Sequence, residues 1–392
     1  MPLSINIELT DNCNSRCSYC EYHKNRKLPH GYPKGFMEES TFNSFIKSLK
    51  NDFKSPLIYG EYIENFVEVR FSGNGEPLLH PGFLNFFRQV LSLDFVSKII
   101  ITSNGTLMTK DIGKEIIKMT QSNDKLVELS VSVDANSQEV YEKVKNLKCF
   151  DKLDRVLNFL VDFKLNERVE NFKMIFQFIV LEENIHESVA FEKKWEKRFQ
   201  GKGKNLDVSF EYPHYDTRSY CWFRMKNDTK DEFHDEVMKN YGINSPQDEV
   251  NRSEVSDNFF KKYFLKVNKK YQEERITSTY SRICRLPWDS INIWWDGTIN
   301  PCCIDRHNHL ALGNIRDNTL LELFDSAKCH KLRMSHIDGN LEEFSFCKNC
   351  SAPYKEWKFP NALIKKYLGE HFKDNPKMKD FFLQKLSAKE VR

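Results

Sequence analysis

The sequence contains no apolar run that approaches the ~18 residues of a membrane-spanning helix. Its N-terminal segment also lacks the uninterrupted apolar stretch of a signal peptide, because Glu8 and Asp11 fall within it. Charge of one sign is not in excess either, since 59 Lys and Arg residues stand against 56 Asp and Glu residues. A general polyanion-binding protein would be clearly basic. We therefore expect a cytoplasmic protein without a transmembrane segment or a nucleic-acid partner.

Cysteine is the residue type whose distribution carries most information. The chain has 11 cysteines among 392 residues, and an odd number in a long chain without a secretion signal argues against a disulfide framework. Eight of them form two groups, which are Cys13, Cys17 and Cys20, and then Cys284, Cys302, Cys303, Cys347 and Cys350. Such groups indicate metal or redox chemistry. The separate Cys149, Cys221 and Cys329 are interpreted as core residues.

Strand-like segments alternate with amphipathic helical segments as far as residue 212. The predicted strands are Leu3–Leu9, Phe66–Phe71, Lys98–Thr102, Leu126–Val133, Phe172–Val180 and Asp207–Tyr212. The predicted helices are Thr41–Lys50, Gly82–Leu91, Thr109–Met119, Asp151–Phe163 and His186–Phe199. This alternation predicts a parallel sheet with crossover helices. Because six units are too few for an eight-stranded barrel, the predicted fold class is α/β, with a partial (β/α)6 TIM-like barrel over residues 1–212.

Three further segments come after the predicted barrel. Residues 213–281 are rich in Lys, Asp, Glu and Asn, and they predict a helical insertion or linker. Residues 282–353 predict a small C-terminal domain, with a β-hairpin that turns at Asp296-Gly297 and a helix over Thr319–Leu332. Residues 354–392 carry ten Lys and Arg against five Asp and Glu, and they predict a basic amphipathic helical tail.

The first group of cysteines comes directly after the first predicted strand. This position is the C-terminal mouth of a β/α barrel, where active sites gather. Cys13, Cys17 and Cys20 cannot close a tetrahedral zinc site by themselves, and no histidine follows at a tight ligand spacing. Three thiolates suit a four-iron cluster in which one iron keeps an open coordination position. A zinc loop or an incidental group of cysteines is the alternative.

The Cys-x-x-x-Cys-x-x-Cys spacing, with Tyr19 directly before the third cysteine, resembles the signature of the radical S-adenosylmethionine (SAM) enzymes. The segment Gly73-Asn74-Gly75-Glu76-Pro77 is similar to the family's Gly-Gly-Glu-Pro segment, with Asn74 in place of a glycine. Lys145 stands where family members often carry an arginine. The resemblance assigns contacts with SAM to Tyr19, Gly75, Glu76, Ser103, Asn104, Ser132, Asp134 and Lys145.

Membership of this family implies a SAM-binding [4Fe-4S] cluster on Cys13, Cys17 and Cys20. It also implies that an electron from the reduced cluster cleaves SAM to methionine and a 5′-deoxyadenosyl radical, which abstracts a hydrogen atom from the substrate. A flavodoxin- or ferredoxin-type protein is the implied electron donor.

The second group offers four thiolates, enough to close a metal site: Cys284, Cys302, Cys347 and Cys350. Cys302 follows the hairpin residue Gly297 by five positions, and the segment resembles the auxiliary-cluster region of SPASM and Twitch radical SAM proteins. The resemblance implies an auxiliary [4Fe-4S] cluster on these cysteines, in the shorter Twitch-like form because no cysteine follows Cys350. A four-cysteine zinc site is the alternative. Cys303 is expected to pack beside the cluster, and competition with Cys302 for the ligand position is the alternative.

The segment after the sixth predicted strand is expected to open onto the same mouth of the barrel. His214, Asp216 and Arg218 are candidate substrate contacts or a proton acceptor, and a hydrogen-bonded linker is an equally good interpretation. Gln177 on the fifth strand is a weaker candidate. Asn184 is interpreted as a turn residue near the SAM site.

Two enzymatic functions compete at this point. One is oxidation or epimerisation of a small polar molecule, such as a sugar, an aminocyclitol or a glycan precursor. The other is modification of a peptide or protein side chain. Peptide-modifying relatives often carry a leader-binding module before the barrel, whereas twelve residues precede Cys13, so we favour the small molecule, with the auxiliary cluster as electron acceptor. A zinc-binding interaction protein without catalysis is the remote alternative.

Overall fold

The structure is a computed structural model that describes residues 4–20, 35–52, 58–59, 62–63, 67–181, 183–199, 205–213, 222–224, 284, 286–303, 305, 307–348 and 350. The predicted substrate residues His214, Asp216 and Arg218 lie outside the described residues. So do the predicted tail and most of the predicted insertion, and these domain boundaries stay predictions.

The described chain contains twelve strands and ten α-helices. The strands are β1 (Ser4–Ile7), β2 (Ile58–Tyr59), β3 (Tyr62–Ile63), β4 (Val67–Phe71), β5 (Val96–Ser103), β6 (Leu126–Ser132), β7 (Phe172–Ile179), β8 (Leu206–Pro213), β9 (Trp222–Arg224), β10 (Ser290–Ile293), β11 (Thr298–Asn300) and β12 (Gly313–Asn314). The helices are α1 (Glu39–Asp52), α2 (Phe83–Leu91), α3 (Lys110–Gln121), α4 (Gln138–Lys145), α5 (Phe150–Asn166), α6 (Ser188–Phe199), α7 (Leu286–Asp289), α8 (Leu320–Phe324), α9 (Ala327–Asp338) and α10 (Ser345–Lys348). Within the described chain, none of these helices is long and apolar enough to cross a membrane.

Ten of the twelve strands form one sheet, with strand order β12-β11-β10-β1-β4-β5-β6-β7-β8-β9. All neighbours from β10 through β8 pair in parallel, and the strands at the two edges pair antiparallel. The six predicted strands correspond to β1 and β4 through β8, with ends shifted by one or two residues. The predicted α/β fold with a partial TIM-like barrel is confirmed.

The two faces of the sheet differ in polarity because side chains alternate along each strand. On β6, Val127, Leu129 and Val131 belong to the main hydrophobic core, which also contains residues of the crossover helices. Glu128 and Ser130 alternate with them and therefore point to the opposite, inner face of the sheet. The inner face of the partial barrel is consequently polar where the helix-covered face is apolar.

The C-terminal hairpin extends the barrel sheet, an arrangement that the sequence analysis does not predict. β10 lies parallel to β1, with Ser290 opposite Ser4 and Ile293 opposite Ile7, and both strands have the sequence Ser-Ile-Asn-Ile. This pairing joins the segment after Cys284 to the strand that precedes the first group of cysteines.

The predicted helix over Thr319–Leu332 is wrong in one respect, because the segment forms the two helices α8 and α9. Ser326 separates them. Its hydroxyl donates to the Leu323 carbonyl and accepts the N–H of Cys329, so it ends one helix and caps the next.

Candidate active site and cluster-binding loops

Cys13, Cys17 and Cys20 lie half-buried in the loop after β1, as predicted from the sequence. Burial raises the pKa of the Cys13 thiol to about 11, and the backbone N–H of Ser15, 3.4 Å from its sulfur, opposes this increase. The nearby Glu76, Cys17 and Cys20 raise the pKa further. The three thiols and the Glu76 carboxyl group are therefore within electrostatic reach of one another.

The chemistry of these donors decides which metal they fit. Among the described residues, no three His, Cys, Asp or Glu side chains are gathered into a complete metal site. Burial disfavours the thiolate form of Cys13, and a bound metal ion would displace the thiol proton. Three thiols on one short loop fit a four-iron cluster with one open iron, whereas a structural zinc site needs four donors.

The loop that carries these cysteines is docked on the C-terminus of α4. The N–H of Arg16 donates to the Lys145 carbonyl (3.3 Å), and the N–H of Ser18 donates to the Val144 carbonyl (2.8 Å). The hydroxyl of Ser15 also donates to the Lys145 carbonyl (2.8 Å). Because the last carbonyls of a helix have no partner within it, the cluster loop satisfies groups that α4 leaves open.

Three of the predicted SAM contacts form one buried network. The Tyr19 hydroxyl donates to Asp134 Oδ2 (2.7 Å), and Lys145 Nζ donates to the Tyr19 hydroxyl (2.6 Å). Lys145 also pairs with Asp134, and both side chains are almost completely buried. Burial alone would lower the pKa of Lys145, but the Asp134 carboxylate, together with the nearby Cys17 and Cys13, raises it. The network ties the residue before Cys20 to the end of β6.

The backbone and carboxylate of Asp134 are themselves fixed. Asp134 has a φ of 60°, a left-handed conformation that needs support from its surroundings. Its Oδ1 atom accepts the N–H of Ile179 (2.7 Å), and its carbonyl accepts the side-chain amide of Asn184 (2.9 Å). Asn184 lies in a turn and is completely buried. Its role is therefore to hold Asp134 in place.

Glu76, Ser103 and Asn104 meet at the C-terminal ends of β4 and β5. The buried Glu76 carboxylate accepts the Ser103 hydroxyl (2.7 Å), the Asn104 N–H (2.7 Å) and the Leu78 N–H (3.1 Å). Burial raises the pKa of Glu76, and these hydrogen bonds oppose the increase. A carboxylate held beside the cluster loop is suited to bind a cationic amino group.

Asn104 links this carboxylate to the cluster loop. Its side-chain amide donates to Asn14 Oδ1 (2.9 Å) and lies 3.7 Å from the sulfur of Cys13. Ser132, another predicted SAM contact, lies at the end of β6 and donates to Gln177 Oε1 (3.2 Å), and Gly75 directly precedes Glu76. The structure thus brings all eight predicted SAM contacts to one end of the sheet.

Sequence reasoning missed one buried acidic residue in this site, Glu8. Its carboxylate accepts the N–H of Asn74 at 2.5 Å, and a side chain at Gly73 would collide with it. Glu8 therefore fixes the loop that carries Glu76. Glu8 is the only charged residue of the predicted strand Leu3–Leu9, and this was the signal that could have identified it.

Gly75 allows this loop to approach the cluster loop. A Cβ atom at Gly75 would lie 2.2 Å from the Thr10 carbonyl oxygen and 2.4 Å from the Asn12 carbonyl oxygen. Both obstacles are backbone atoms, so no side chain can move aside. The close approach also allows the N–H of Glu76 to donate to the Asn12 carbonyl (2.8 Å).

We expect Gly75→Ala to lower the free energy of unfolding by about 2 kcal/mol, the usual cost of forcing extra volume into a packed site. Urea unfolding monitored by circular dichroism measures this change. Gly82→Ala is the matched control, because its Cβ would meet only side-chain rings, that of His80 at 3.2 Å and that of Phe86 at 3.4 Å, and a change within about 1 kcal/mol is expected. Equal losses in the two variants would contradict the proposed close approach.

The thiols of Cys284, Cys347 and Cys350 are within electrostatic reach of one another. Burial raises the pKa of the Cys284 thiol well above its ordinary value, the Leu286 N–H opposes the increase, and Cys350, Cys347 and Cys303 add to it. Burial raises the pKa of Cys347 to about 12, and Cys350 is the next largest cause. Three of the four predicted auxiliary ligands are therefore grouped, with the exposed Cys303 beside them.

Cys302, the fourth predicted auxiliary ligand, is buried in a small apolar cluster against which Cys347 packs. Its backbone N–H donates to Asn300 Oδ1 (2.9 Å), and the Asn300 amide donates to the buried Asp305 (2.8 Å). Asp305 in turn accepts the N–H of Leu310 (2.7 Å), which closes the loop after β11. Cys302 as the fourth ligand stays a prediction. Four thiols fit a fully ligated cluster or a zinc ion equally well.

Comparison with known sequences agrees with these two sites. The profile of the radical SAM superfamily matches residues 7–188, and that of the SPASM iron-sulfur cluster-binding domain matches residues 284–351. A GTP 3′,8-cyclase from Synechocystis is 26% identical over 201 residues, 49% of this chain and 51% of that protein. The GTP 3′,8-cyclase from Rippkaea orientalis is 29% identical over 141 residues, 36% of this chain and 37% of that protein. The match thus spans about half or less of these relatives.

A solved structure shares the fold over most of the chain. Native anSMEcpe with bound AdoMet is 19% identical, and the match covers 89% of this chain and 86% of that one, with a TM-score of 0.52.

The two matched domains imply which cofactors the protein binds. These are a SAM-binding [4Fe-4S] cluster, SAM itself and an auxiliary iron-sulfur cluster. The donor sets described above fit these groups, with Cys13, Cys17 and Cys20 at the first site and the second group of cysteines at the other. The chain therefore belongs to the radical SAM superfamily and carries a C-terminal SPASM iron-sulfur cluster-binding domain.

Proposed function

We propose that the protein abstracts a hydrogen atom from a small polar substrate, such as a sugar, an aminocyclitol or a glycan precursor. Oxidation or epimerisation completes the reaction, and in the oxidation the auxiliary cluster receives an electron. The observation that carries this proposal is a row of polar side chains on the inner face of the barrel.

The row crosses β6, β7 and β8 near their C-terminal ends. Ser132 pairs with Gln177 across the β6–β7 ladder, and Gln177 pairs with Ser209 across the β7–β8 ladder, so the three side chains share one face. Ser130 precedes Ser132 by two residues and points the same way. The core residues that alternate with them, such as Phe176, pack on the opposite face.

Two hydroxyl groups in this wall are positioned to receive a ligand. Ser130 is 2% exposed and Ser209 is 5% exposed, and neither hydroxyl has a hydrogen-bond partner within the described chain. A buried polar group without a partner costs about 1–3 kcal/mol, which a substrate rich in hydroxyl or amino groups would recover. The wall therefore favours a polyhydroxylated or aminated substrate over an apolar one.

The wall also lies beside the expected site of hydrogen abstraction. Ser132 lies two residues before Asp134, at the same end of the sheet as Glu76 and the cluster loop. The bound cluster and SAM supply a 5′-deoxyadenosyl radical at this end of the barrel. A substrate held against Ser132, Gln177 and Ser209 would present its C–H bonds to that radical.

Oxidation and epimerisation differ after the hydrogen atom has been abstracted. In oxidation of an alcohol, the carbon loses a hydrogen atom and the O–H proton goes to a base, which leaves one electron that the auxiliary cluster, held by the second group of cysteines, would accept. His214 and Asp216 are our candidates for that base. In epimerisation, a hydrogen-atom donor such as a thiol would return a hydrogen atom to the opposite face of the carbon, and the donor radical would then take up one electron and one proton. We further propose a flavodoxin- or ferredoxin-type reductant for the first cluster.

Substrate-dependent formation of 5′-deoxyadenosine tests the proposal. The anaerobically reconstituted protein is incubated with SAM and dithionite, together with panels of aminocyclitols, sugars, nucleotide-linked sugars or peptides. We expect one of the first three panels to increase 5′-deoxyadenosine formation at least tenfold. Deuterium at the reacting carbon should then appear in 5′-deoxyadenosine. Stimulation by peptides alone would overturn the proposal in favour of a peptide-modifying enzyme.

Gln177→Leu is expected to remove this stimulation, because it deletes the amide at the centre of the polar row. The slow cleavage of SAM without substrate should remain. Ser122→Ala, which removes an exposed hydroxyl group, serves as the matched control and should keep full stimulation. Equal stimulation in the Gln177→Leu variant and the control would exclude the polar row as the substrate site.

A further inference from the structure

One face of α9 is buried, and its residues are chemically unlike an ordinary helix core. Cys329, Arg333 and His336 are spaced by four and three residues, so they lie on one side of the helix. Their exposed fractions are only 0%, 2% and 1%. A buried arginine and a buried histidine on one face need polar partners, and the structure supplies them from the segment that begins at Cys284.

This segment is contacted along its backbone rather than through the sulfur of Cys284. His336 Nδ1 accepts the N–H of Cys284 at 3.4 Å. One turn earlier, Arg333 Nε donates to the carbonyl of Pro287 at 2.8 Å, and the sulfur of Cys329 lies 3.9 Å from the same carbonyl. Successive turns of α9 thus contact the backbone of Cys284 and of Pro287 and leave the Cys284 thiol available to a metal.

Arg333 also places a positive charge in this buried region. Its guanidinium group lies 4.2 Å from the Phe324 ring centre and 5.9 Å from the Trp288 ring centre. Its carboxylate partner Asp325 is 3.7 Å away and about half exposed, so solvent screens that pair on one side. Because the guanidinium group of Arg333 is itself buried, its charge acts on the neighbouring residues through a medium of low dielectric constant.

We propose that the buried face of α9 controls two properties of the auxiliary site. His336 positions the ligand Cys284, and Arg333 raises the reduction potential of the cluster. Reduction adds one electron and hence one negative charge, which a nearby buried cation stabilises. The inference deepens the proposed electron-accepting role and rests on it for its biological meaning. The cluster itself is implied by the SPASM domain.

The potential is measured by an EPR-monitored redox titration in a background where Cys13, Cys17 and Cys20 are alanine, so that only the auxiliary cluster contributes. Arg333→Gln keeps a hydrogen-bond donor for Pro287 but removes the charge. We expect the equilibrium constant for reduction to fall at least tenfold, about 59 mV for a one-electron couple. Arg333→Lys keeps the charge and should stay within threefold of the parent.

Lys331→Met is the matched control, because it removes a positive charge from the exposed side of the same helix. It should leave the equilibrium constant within twofold of the parent. An Arg333→Gln value that equals the Lys331→Met value, or an Arg333→Lys value as low as that of Arg333→Gln, would overturn the role of the charge.

His336 is tested by the iron that the auxiliary site retains after desalting. His336→Asn places an amide oxygen near the position of Nδ1 and should keep the cluster, whereas His336→Leu removes the acceptor and should lose at least half of the iron. Equal retention or equal loss in both variants would overturn the positioning role. These measurements use no substrate, so their failure is distinguishable from failure of the proposed function.

Discussion

Changing Cys13, Cys17 and Cys20 to alanine is expected to abolish cleavage of SAM and to lower the iron content from about eight to about four atoms per chain. The reason is that these three thiols lie together on the loop after β1, while Cys284, Cys347 and Cys350 are grouped elsewhere. Removing one donor set should therefore empty one site and leave the other. Iron and sulfide analysis, together with chromatography of 5′-deoxyadenosine, measures both effects.

Cys149→Ala controls for the loss of a thiol, because this half-buried cysteine belongs to neither group. It should keep both the iron and the activity of the parent protein. Zinc in place of iron at the second site would leave a radical SAM enzyme but remove the electron acceptor from the proposed reaction. Zinc at both sites would contradict the assignment of the cofactors.

The barrel could be predicted from sequence because its signals are local. Each strand from β4 through β8 carries apolar residues on one face, amphipathic helices connect these strands, and that repeat identifies a parallel sheet. The cluster loop and Glu76 could be placed because the strand that precedes each of them fixes which end of the sheet they occupy.

The parts that escaped prediction depend on long-range contacts. The pairing of β10 with β1 joins residues almost 290 positions apart, and no local pattern indicates such a pairing.

Helix α4 was missed although local signals exist, since Ser137 caps its first turn and Asn146 ends it with a φ of 56°. The roles of Arg333 and His336 depend on the tertiary position of α9, which sequence spacing alone does not provide.

Lys145 was assigned by resemblance to a contact with SAM, and the structure shows a further role that can be tested without SAM. Lys145→Met would leave the Asp134 carboxylate buried without its cation, and such changes cost about 3–5 kcal/mol. We expect the free energy of unfolding to fall by that amount. The iron of the first cluster should also be retained less well, because Tyr19, the residue before Cys20, loses one of its hydrogen bonds. Urea unfolding and iron analysis measure the two effects.

The pH dependence of this effect has a definite sign. The pKa of Lys145 is raised in the folded protein, so its contribution is complete below the ordinary lysine pKa of about 10.5 and is lost only as the pH rises through the higher folded value. The difference in stability between the parent protein and Lys145→Met should therefore stay constant from pH 7 to 9 as far as Lys145 determines it.

Lys143→Met is the matched control, because Lys143 lies on the same helix and pairs with Glu139 at 2.9 Å on an exposed surface. Such a pair is worth about 0.3–0.5 kcal/mol, so the two variants should differ roughly tenfold in their effect. Adding Asp134→Asn to Lys145→Met removes the buried charge that has lost its cation. Part of the lost stability should return, because most of the loss comes from burying the Asp134 carboxylate without Lys145. If the double variant is no more stable than Lys145→Met, the ion pair is not what holds the cluster loop, and packing of the lysine side chain against Tyr19 must do so instead.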